Sequence, residues 1–492
     1  MKILLPVLLL FALCNCTVSK PYNPAKKFSP AELQEDYDLF RDILEESHPS
    51  LYWYTPKDSV DHYFEVGRTK LNDSLPEYKF RNVLSYVIAK IRCGHTSVRS
   101  SKAAAAYAER ARLISFPLSV KAWEDTVAVT SNLSRRDSVI TRGSLLLSID
   151  GRPIQTIVDS MFQFLSADGY NTTHKYQTIS NPGAFRNLYG AIYGLKTRTP
   201  VEFVDTFGVV KKTMLSLYIP FADSTRRRPP VAQQPPSRKE RKKMLRQLTR
   251  NMHIDTSLHT AFMEVNSFSK DNGLRSFLRR SFRKIRKEKI PNLVVDMRGN
   301  GGGSVTLSNL MTKYLADRPF KIADSLYAVR SRSRYKRYEN NYLLNRLFFI
   351  FMAKKKSDGL YHFRYYEHRQ FKPKKGNHFR GTTYILTGGN TFSAAALFTK
   401  ALRDQDDVVV VGEETGGGSY GNTAWLIPDV TLPRTKVRFR LPLFRLVIDP
   451  NEPRGHGIYP EVEVKPTLDA IKRNEDIKMD QLIRMIKEKN SQ

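Results

Sequence analysis

The chain has 492 residues, 41% of them hydrophobic and 26% charged, which is enough for roughly two to four well-buried domains of ordinary soluble composition. Its 80 Lys and Arg residues outnumber 48 Asp and Glu residues, so the formal net charge is +32. Such a charge favours contact with anionic surfaces, and three cysteines exclude a disulfide-rich fold.

Residues 1–16 predict an export signal. Lys2 precedes an apolar run that is too short to span a bilayer stably, and Cys14 and Cys16 follow at once. The surroundings of these cysteines resemble a bacterial lipobox, so we expect a lipoprotein acylated at Cys16, with Cys14 and plain secretion as alternatives. Acylation of Cys16 would leave Cys93 without an intramolecular partner. The protein is therefore expected in the periplasm, anchored to a membrane of a Gram-negative bacterium.

Residues 17–110 predict a helical domain. Ser29 and Glu32 form a capping box around Pro30, and apolar residues then recur at helical spacing. The domain ends in IRCGHTSVRS, where His95 lies on a helix-to-strand turn and is expected to be partly exposed. A histidine in such a turn, taken alone, is more often structural than catalytic.

Short β runs follow at residues 111–218, and the sequence VITRGSLLLSIDGRPI resembles the second half of a PDZ domain, which binds peptides as an added strand. Residues 219–252 then predict a basic, Pro-rich linker. The linker is either a solvated connector or a site for an anionic polymer. Because no aromatic residues interleave its charges, nucleic acid is not expected as a partner.

Residues 253–470 alternate buried strands with helices, which predicts an α/β core with parallel strands, interrupted by an irregular insertion at 325–379. A helix at 471–492 closes the chain. Gly-rich loops at 298–304, 386–393 and 412–421 each follow a strand, where such sheets bind ligands. No phosphate-loop motif and no Cys/His ligand spacing is present, so we expect neither a cofactor nor a metal.

Ser393 stands between a strand and a helix in YILTGGNTFSAAALFTKALRD. One interpretation is that its hydroxyl caps the helix that begins at Ala394. The other is a nucleophile, because the free amides of the first helical turn can stabilise an oxyanion. The stretch by itself leaves both open.

Several stretches, in this order, resemble the tail-specific or C-terminal-processing serine peptidases, including their tricorn-core-like branch. They are the HP-aromatic helical start, CGHTSV, the PDZ-like half, VVDMRGNGGG, TFSAAALFTKALRD, VVVVGEETGGG and GHGIYPEVEV, and the resemblance covers about residues 29–490. It implies a ClpP/crotonase-like α/β peptidase core with an N-terminal helical unit and a PDZ-like β-rich domain.

The resemblance also implies roles. Ser393 would be the nucleophile, and Ala394 with Gly301 or Gly302 would form the oxyanion hole. Many relatives use a lysine about 25 residues after the serine, but that place lies around Gly418 and holds none. The tricorn-like branch uses a histidine oriented by a glutamate, which points to His95 and Glu452, with His456 as the rival base.

The resemblance thus implies a serine endopeptidase that cleaves unfolded proteins or C-terminal tails through an acyl-enzyme. One alternative is a catalytically inactive lipoprotein of the same fold that binds peptides or apolar ligands. A third possibility is anion binding by the basic segments. The oligomeric state does not follow from the sequence.

Overall fold

The computed structural model describes residues 22–111, 113–134, 139–220 and 237–491. The predicted signal peptide and its lipidation site at Cys16 lie outside these residues. Within the described ranges, no helix has both the length and the hydropathy needed to cross a bilayer.

The N-terminal unit begins with the predicted capping box. Ser29 Oγ accepts a hydrogen bond from the Glu32 N–H at 3.4 Å, and the Glu32 carboxylate accepts one from the Ser29 N–H at 2.9 Å. The elements of the unit are β1 Lys27–Phe28, α1 Pro30–Ser47, α2 Lys57–Thr69, β2 Leu75–Pro76, α3 Glu77–Ile91, β3 Ser97–Arg99 and α4 Lys102–Arg110. Strand β3 pairs antiparallel with Arg438–Arg440, so the unit shares a sheet with the C-terminal half of the chain.

The second unit is a six-stranded antiparallel sheet with three helices. Its elements are β4 Leu118–Trp123, β5 Thr126–Asn132, β6 Leu145–Ile149, β7 Arg152–Pro153, α5 Ile154–Phe162, α6 Thr172–Ser180, α7 Ala184–Tyr193, β8 Arg198–Val204 and β9 Val210–Ser216. The strand order is β4-β5-β6-β8-β9, and β7 pairs with β6. These strands occupy the stretch expected to be β-rich, whereas the PDZ-like assignment of residues 111–218 stays a prediction.

The remaining elements form the α/β core, its second sheet and the C-terminal helices. They are α8 Arg238–Thr249, β10 Arg250–Asp255, β11 Thr260–Val265, α9 Leu274–Lys287, β12 Asn292–Asp296, α10 Val305–Leu315, β13 Ser325–Ala328, α11 Tyr342–Met352, β14 Lys354–Lys355, β15 Tyr361–His362, α12 Arg364–His368, β16 Thr382–Thr387, α13 Ala394–Arg403, β17 Val408–Gly412, β18 Gly421–Ala424, β19 Asp429–Thr431, β20 Arg438–Arg440, β21 Phe444–Val447, β22 Val462–Glu463, α14 Leu468–Arg473 and α15 Ile477–Asn490, with 3₁₀ turns at Lys270–Asn272 and Lys336–Tyr338.

The core sheet has the order β10-β11-β12-β16-β17-β22, and its strands are parallel from β11 to β22. Alternate side chains enter different hydrophobic clusters: Met263 packs with α9, α10 and α13, whereas Phe262 packs with Leu482 and Ile486 of α15. Because both faces are covered, the central strands read as continuous apolar runs. The expected α/β fold with parallel strands is confirmed.

The structure differs from the linker predicted at 219–252. Residues 238–249 are helical, with a capping box between Ser237 and Glu240, and β10 extends the core sheet by pairing antiparallel with β11. The sequence did not indicate these two elements because the segment is highly charged and has few apolar residues in a regular pattern. Of β10, only Met252 and Ile254 pack on the core.

The insertion at 325–379 is also more regular than expected. Strands β13, β14 and β15 join β21 and β18 in a five-stranded sheet of order β14-β15-β13-β21-β18. The strands of the insertion are two to four residues long, which is too short for a period-two pattern to be recognised.

Candidate active site

Ser393 occupies a strained junction between β16 and α13. Its backbone has φ 55° and ψ −122°, a conformation that non-glycine residues rarely adopt. The side chain makes no capping hydrogen bond to α13. The structure therefore does not favour the helix-cap interpretation, and the hydroxyl is left available for chemistry.

The loop after β12 lies against this junction. A Cβ atom at Gly302, where φ is +98°, would be 2.7 Å from Ser393 Cβ and 2.9 Å from Ala394 N, so only glycine allows this approach. Buried Asn300 fixes the loop. Its carbonyl oxygen accepts a hydrogen bond from Phe392 N–H at 3.0 Å, and its Nδ2 donates to Val265 O at 2.8 Å.

The geometry changes the predicted oxyanion hole in one respect. The N–H of Gly302 already donates to Asn300 Oδ1 at 2.8 Å, so it is not free to bind an oxyanion. Gly303, in contrast, forms a parallel bridge to Phe268, and the residues on either side of Gly303 make its two hydrogen bonds. Phe268 N–H donates to Gly302 O at 2.9 Å, and Ser304 N–H donates to Phe268 O at 3.0 Å. Because its two neighbours make these bonds, Gly303 points its own N–H away from Phe268.

Ser393 opens into a cavity of about 410 Å³. Its floor combines Gly303 and Ser304 of the glycine loop with Asn422 of β18, and apolar side chains complete the walls. These wall residues are Phe268, Leu397, Trp425, Leu426 and Leu446. Mostly apolar walls around a few polar groups are typical of a site for an organic ligand.

His95 lies beside this junction but is buried, not partly exposed as the sequence predicted. The side chain packs on the residue before the serine, with 4.7 Å between the His95 and Phe392 ring centroids. His174 stacks on the same Phe392 ring at 4.8 Å. Neither ring nitrogen of His95 has a hydrogen-bond partner among the described residues. Burial, with the positive charge of Arg440, lowers the pKa of His95 to about 3, so the ring is neutral at neutral pH.

A chain of buried hydrogen bonds fixes the turn that carries His95. His48 Nδ1 accepts from Ser50 N–H at 3.3 Å, which makes His48 Nε2 the donor to Thr96 Oγ1 at 2.8 Å. The Thr96 hydroxyl then donates to Cys93 Sγ at 3.2 Å. The turn is thus held from the end of α1.

Asp168 fixes the same turn from the β-rich unit. Its buried carboxyl accepts hydrogen bonds from Gly94 N–H at 2.9 Å and from Gly418 N–H at 3.4 Å. Burial raises the pKa of Asp168 to about 7, and the two amides oppose the rise. Asp168 therefore joins the His95 turn to the glycine loop after β17.

Residues 259–464 match the family model described as peptidase family S41. This part of the α/β core is therefore similar to a peptidase family S41 domain. Three solved structures share the fold: mature CPAF complexed with lactacystin (14% identity, TM-score 0.64, 93% of this chain and 98% of that chain), mature CPAF (15%, 0.62, 92% and 98%), and a serine-to-alanine mutant of CPAF (14%, 0.65, 93% and 97%). No curated protein matches the chain at a significant level.

Glu452, predicted to orient His95, has other partners in the α/β core. Its carboxylate accepts hydrogen bonds from both terminal nitrogens of Arg403, at 2.5 and 3.4 Å, and lies 3.2 Å from Lys400 Nζ. Lys400 also pairs with Asp404 and Asp449, each at 3.0 Å. The structure thus places Glu452 in an ion-pair network, and the predicted contact between Glu452 and His95 is not formed.

His456, the rival base, lies on the closing turn of the α/β core. Its Nδ1 is 2.9 Å from the Tyr459 hydroxyl and 3.6 Å from Glu414, and its side chain is 38% exposed. In the ranges that the structure describes, no group of His, Cys, Asp and Glu residues could hold a metal ion.

Sequence reasoning assigned no role to three residues around the candidate site: His48, Asp168 and His174. Asp168 is far from motifs in the sequence, and His174 acts by stacking on Phe392 and by a 2.6 Å hydrogen bond between its Nδ1 and Gly389 O. The HP pair at the end of α1 was a signal for His48. Nothing in the sequence around the other two distinguishes them.

Proposed function

We propose that the protein is a serine-type endopeptidase in which Ser393 attacks a peptide carbonyl and forms an acyl-enzyme. The observation that carries the proposal is the Ser393 junction: a strained, uncapped serine, an open cavity, and Gly302 packed against its Cβ. The S41 assignment of residues 259–464 supports the same chemistry.

In this mechanism one ring nitrogen of His95 takes the Ser393 hydroxyl proton as Oγ bonds to the carbonyl carbon. The resulting oxyanion receives hydrogen bonds from Ala394 N–H and Gly303 N–H, with Gly301 as the alternative second donor. Collapse of the tetrahedral intermediate expels the amine, which takes the proton from His95. A water molecule then repeats the sequence and releases the acid.

The low pKa of His95 sets a condition on this mechanism. A buried imidazolium is unfavourable without a nearby negative charge, and the oxyanion itself supplies one in the transition state. His95 must also rotate from its contact with Phe392 toward Ser393 Oγ. Substrate in the cavity would favour that rotation, which would make the site active only when occupied.

The substrate class that we propose is an unfolded polypeptide or a C-terminal tail, presented by the β-rich domain. We also propose export and acylation at Cys16, which anchors the protein to the membrane facing the periplasm. Incorporation of labelled palmitate should be lost in Cys16→Ala and kept in Cys14→Ala; the opposite pattern would assign processing to Cys14.

The nucleophile is tested with a serine-directed fluorophosphonate. Wild type should be labelled, Ser393→Ala should not, and Ser304→Ala, which removes another hydroxyl from the same cavity, should be labelled like wild type. Equal labelling of wild type and Ser393→Ala would exclude Ser393. For the base, His95→Ala should lose cleavage of a denatured protein while its thermal unfolding stays cooperative.

A second candidate is a non-catalytic binding protein of the same fold. The unpartnered nitrogens of His95 and the apolar walls of the Ser393 cavity favour it. Such a protein would bind an unfolded polypeptide without cleaving it and would fail to react with fluorophosphonate.

A further inference from the structure

Helix α11 carries a large apolar face that nothing in the described chain covers. The face is formed by Leu343, Leu344, Leu347, Ile350, Phe351 and Met352, which are between 49% and 77% exposed. Five of them, at positions 343, 344, 347, 350 and 351, recur at the spacing of one helix face. Isolated exposed apolar residues are common, but a contiguous face of this kind is typical of an interaction site.

The opposite side of α11 is firmly attached. Phe349 stacks on Phe444 of β21 at 5.2 Å, and Phe348 packs edge-on against Phe444 at 6.0 Å and against Phe363 at 5.0 Å. The helix is thus held by one aromatic face while the other points outward. Its exposure is built into the fold and does not come from a loosely packed segment.

Exposed cations flank α11 at both ends. Arg332, Arg334, Lys336 and Arg337 precede the helix, and Lys354, Lys355 and Lys356 follow it. The three acidic groups of the insertion are already engaged: Glu339 pairs with Arg330 at 3.1 Å, Glu367 with Lys356 at 3.1 Å, and Asp358 lies 2.8 Å from His362 Nε2. Of the flanking cations, Arg334 also pairs with Glu46, at 3.2 Å, whereas Arg332, Lys336, Arg337, Lys354 and Lys355 have no ion pair among the described residues. The surroundings of the apolar face therefore keep a strong positive potential.

A cavity of about 660 Å³ lies between these cations and the helix. Arg332, Arg346 and Lys355 line it together with Ile350. None of the three cations forms an ion pair within the described ranges; Arg346 Nη1 donates only to Ser331 O, at 3.1 Å. Unpaired guanidinium and ammonium groups beside an apolar surface are suited to a phosphate that carries acyl chains.

We propose that α11 and this cavity bind the surface of a bilayer that contains anionic lipid, with the apolar face in the interface and a phosphate headgroup at Arg332, Arg346 and Lys355. The helix has eleven residues and is about 16 Å long at about 1.5 Å per residue, so it lies on a bilayer and does not span one. A second copy of the chain is a poorer occupant, because it would bring the same cations face to face. The proposal does not depend on acylation at Cys16 or on peptidase activity.

A local probe tests the orientation of α11. In the full chain with Cys14→Ser and Cys16→Ser, which prevents acylation and leaves Cys93 buried, Ile350→Cys is labelled with nitrobenzoxadiazole. Its emission should rise and shift to the blue with vesicles of phosphatidylcholine and phosphatidylglycerol, and change little with phosphatidylcholine alone. The same probe at Phe207→Cys, a site 89% exposed on the β8–β9 turn, should not respond. No response at position 350, or equal responses at both positions, would overturn the proposal.

A charge comparison tests the headgroup site. Arg332→Gln with Lys355→Gln should weaken binding to the anionic vesicles about 25-fold, since each cation near such a surface contributes about fivefold. Lys239→Gln with Lys242→Gln on α8 makes the same change in net charge and should have a much smaller effect. Equal losses in both pairs would show that net charge alone drives binding and would reject the site.

The apolar face has its own variant. Phe351→Asp replaces a side chain that is 73% exposed, so the fold should survive, as checked by thermal unfolding, while vesicle binding falls strongly. If the unmodified chain instead forms a dimer in light scattering, ignores vesicles, and becomes monomeric with Phe351→Asp, the face is a contact between copies and the bilayer proposal is wrong.

Discussion

Gly302 lies directly against Ser393, so close that a Cβ atom at residue 302 would be 2.7 Å from the Cβ of the serine. The same atom would meet Phe392 O at 2.8 Å and Ala394 N at 2.9 Å, and all three are rigid parts of the candidate nucleophile junction. The glycine loop and the serine can therefore not be displaced independently.

Gly302→Ala should lower the rate of fluorophosphonate labelling at least ~100-fold, because the added Cβ would displace the Ala394 amide and the loss of one oxyanion-hole donor usually costs about that factor. It should also lower the free energy of unfolding by about 1–3 kcal/mol, because alanine is strained at φ +98°. Gly301→Ala is the matched control: a Cβ there meets nothing within 4 Å. Equal labelling of the two variants would show that the contact of Gly302 with Ser393 does not affect the reaction.

Asp168 should give the protein an unusual dependence of stability on pH. Its folded pKa is raised to about 7 by burial, above the usual value for an unfolded aspartate of about 3.9. Between these values the folded protein holds a proton that the unfolded chain has lost. The contribution of Asp168 is thus fully present below about pH 4 and decreases by about 1.4 kcal/mol per unit as pH rises toward 7.

Denaturant unfolding of Asp168→Asn and wild type, compared between pH 4 and 7, isolates this contribution. The stability of the variant relative to wild type should increase with pH in this window. Asp205→Asn provides a contrast: Lys211 lowers the pKa of Asp205 to about 2, so its contribution is lost only as pH falls below about 4, and the difference between this variant and wild type should stay constant from pH 4 to 7. A constant difference between Asp168→Asn and wild type would show that Asp168 is ionised throughout.

Thr96 should matter to stability through one hydroxyl group. Thr96→Val leaves the buried Nε2–H of His48 without an acceptor and should cost about 1–3 kcal/mol. Thr96→Ser keeps the hydroxyl and should cost clearly less. If Thr96→Ser loses as much stability as Thr96→Val in denaturant unfolding, side-chain packing, and not the hydroxyl group, accounts for the change.

Glu452 should act as a structural ion-pair partner. Glu452→Gln is expected to lower the free energy of unfolding by roughly 2 kcal/mol, because Arg403 and the nearly buried Lys400 lose one carboxylate charge. The pH profile of peptidase activity should keep its shape. Asp404→Asn, which removes a 63%-exposed partner of the same lysine, should cost less. A large drop in kcat with unchanged stability would restore Glu452 as the partner of His95.

The linear sequence determined the parts of the protein that depend on local pattern. The Ser29 capping box, the α/β alternation and the position of Ser393 between a strand and a helix all follow from short stretches of residues. Their physical basis is local, because capping, strand burial and turn formation are decided within a few neighbouring residues.

Only the tertiary structure decided what surrounds those parts. Two contacts join segments that are far apart in the sequence: Glu452 pairs with Arg403, 49 positions away, and Gly302 meets Ser393, 91 positions away. His95 is buried because separate units pack around it. Such contacts depend on how the units pack, and charges alone do not specify them. The same applies to α11: its sequence is that of a core helix, and only packing showed that most of its apolar side chains face outward.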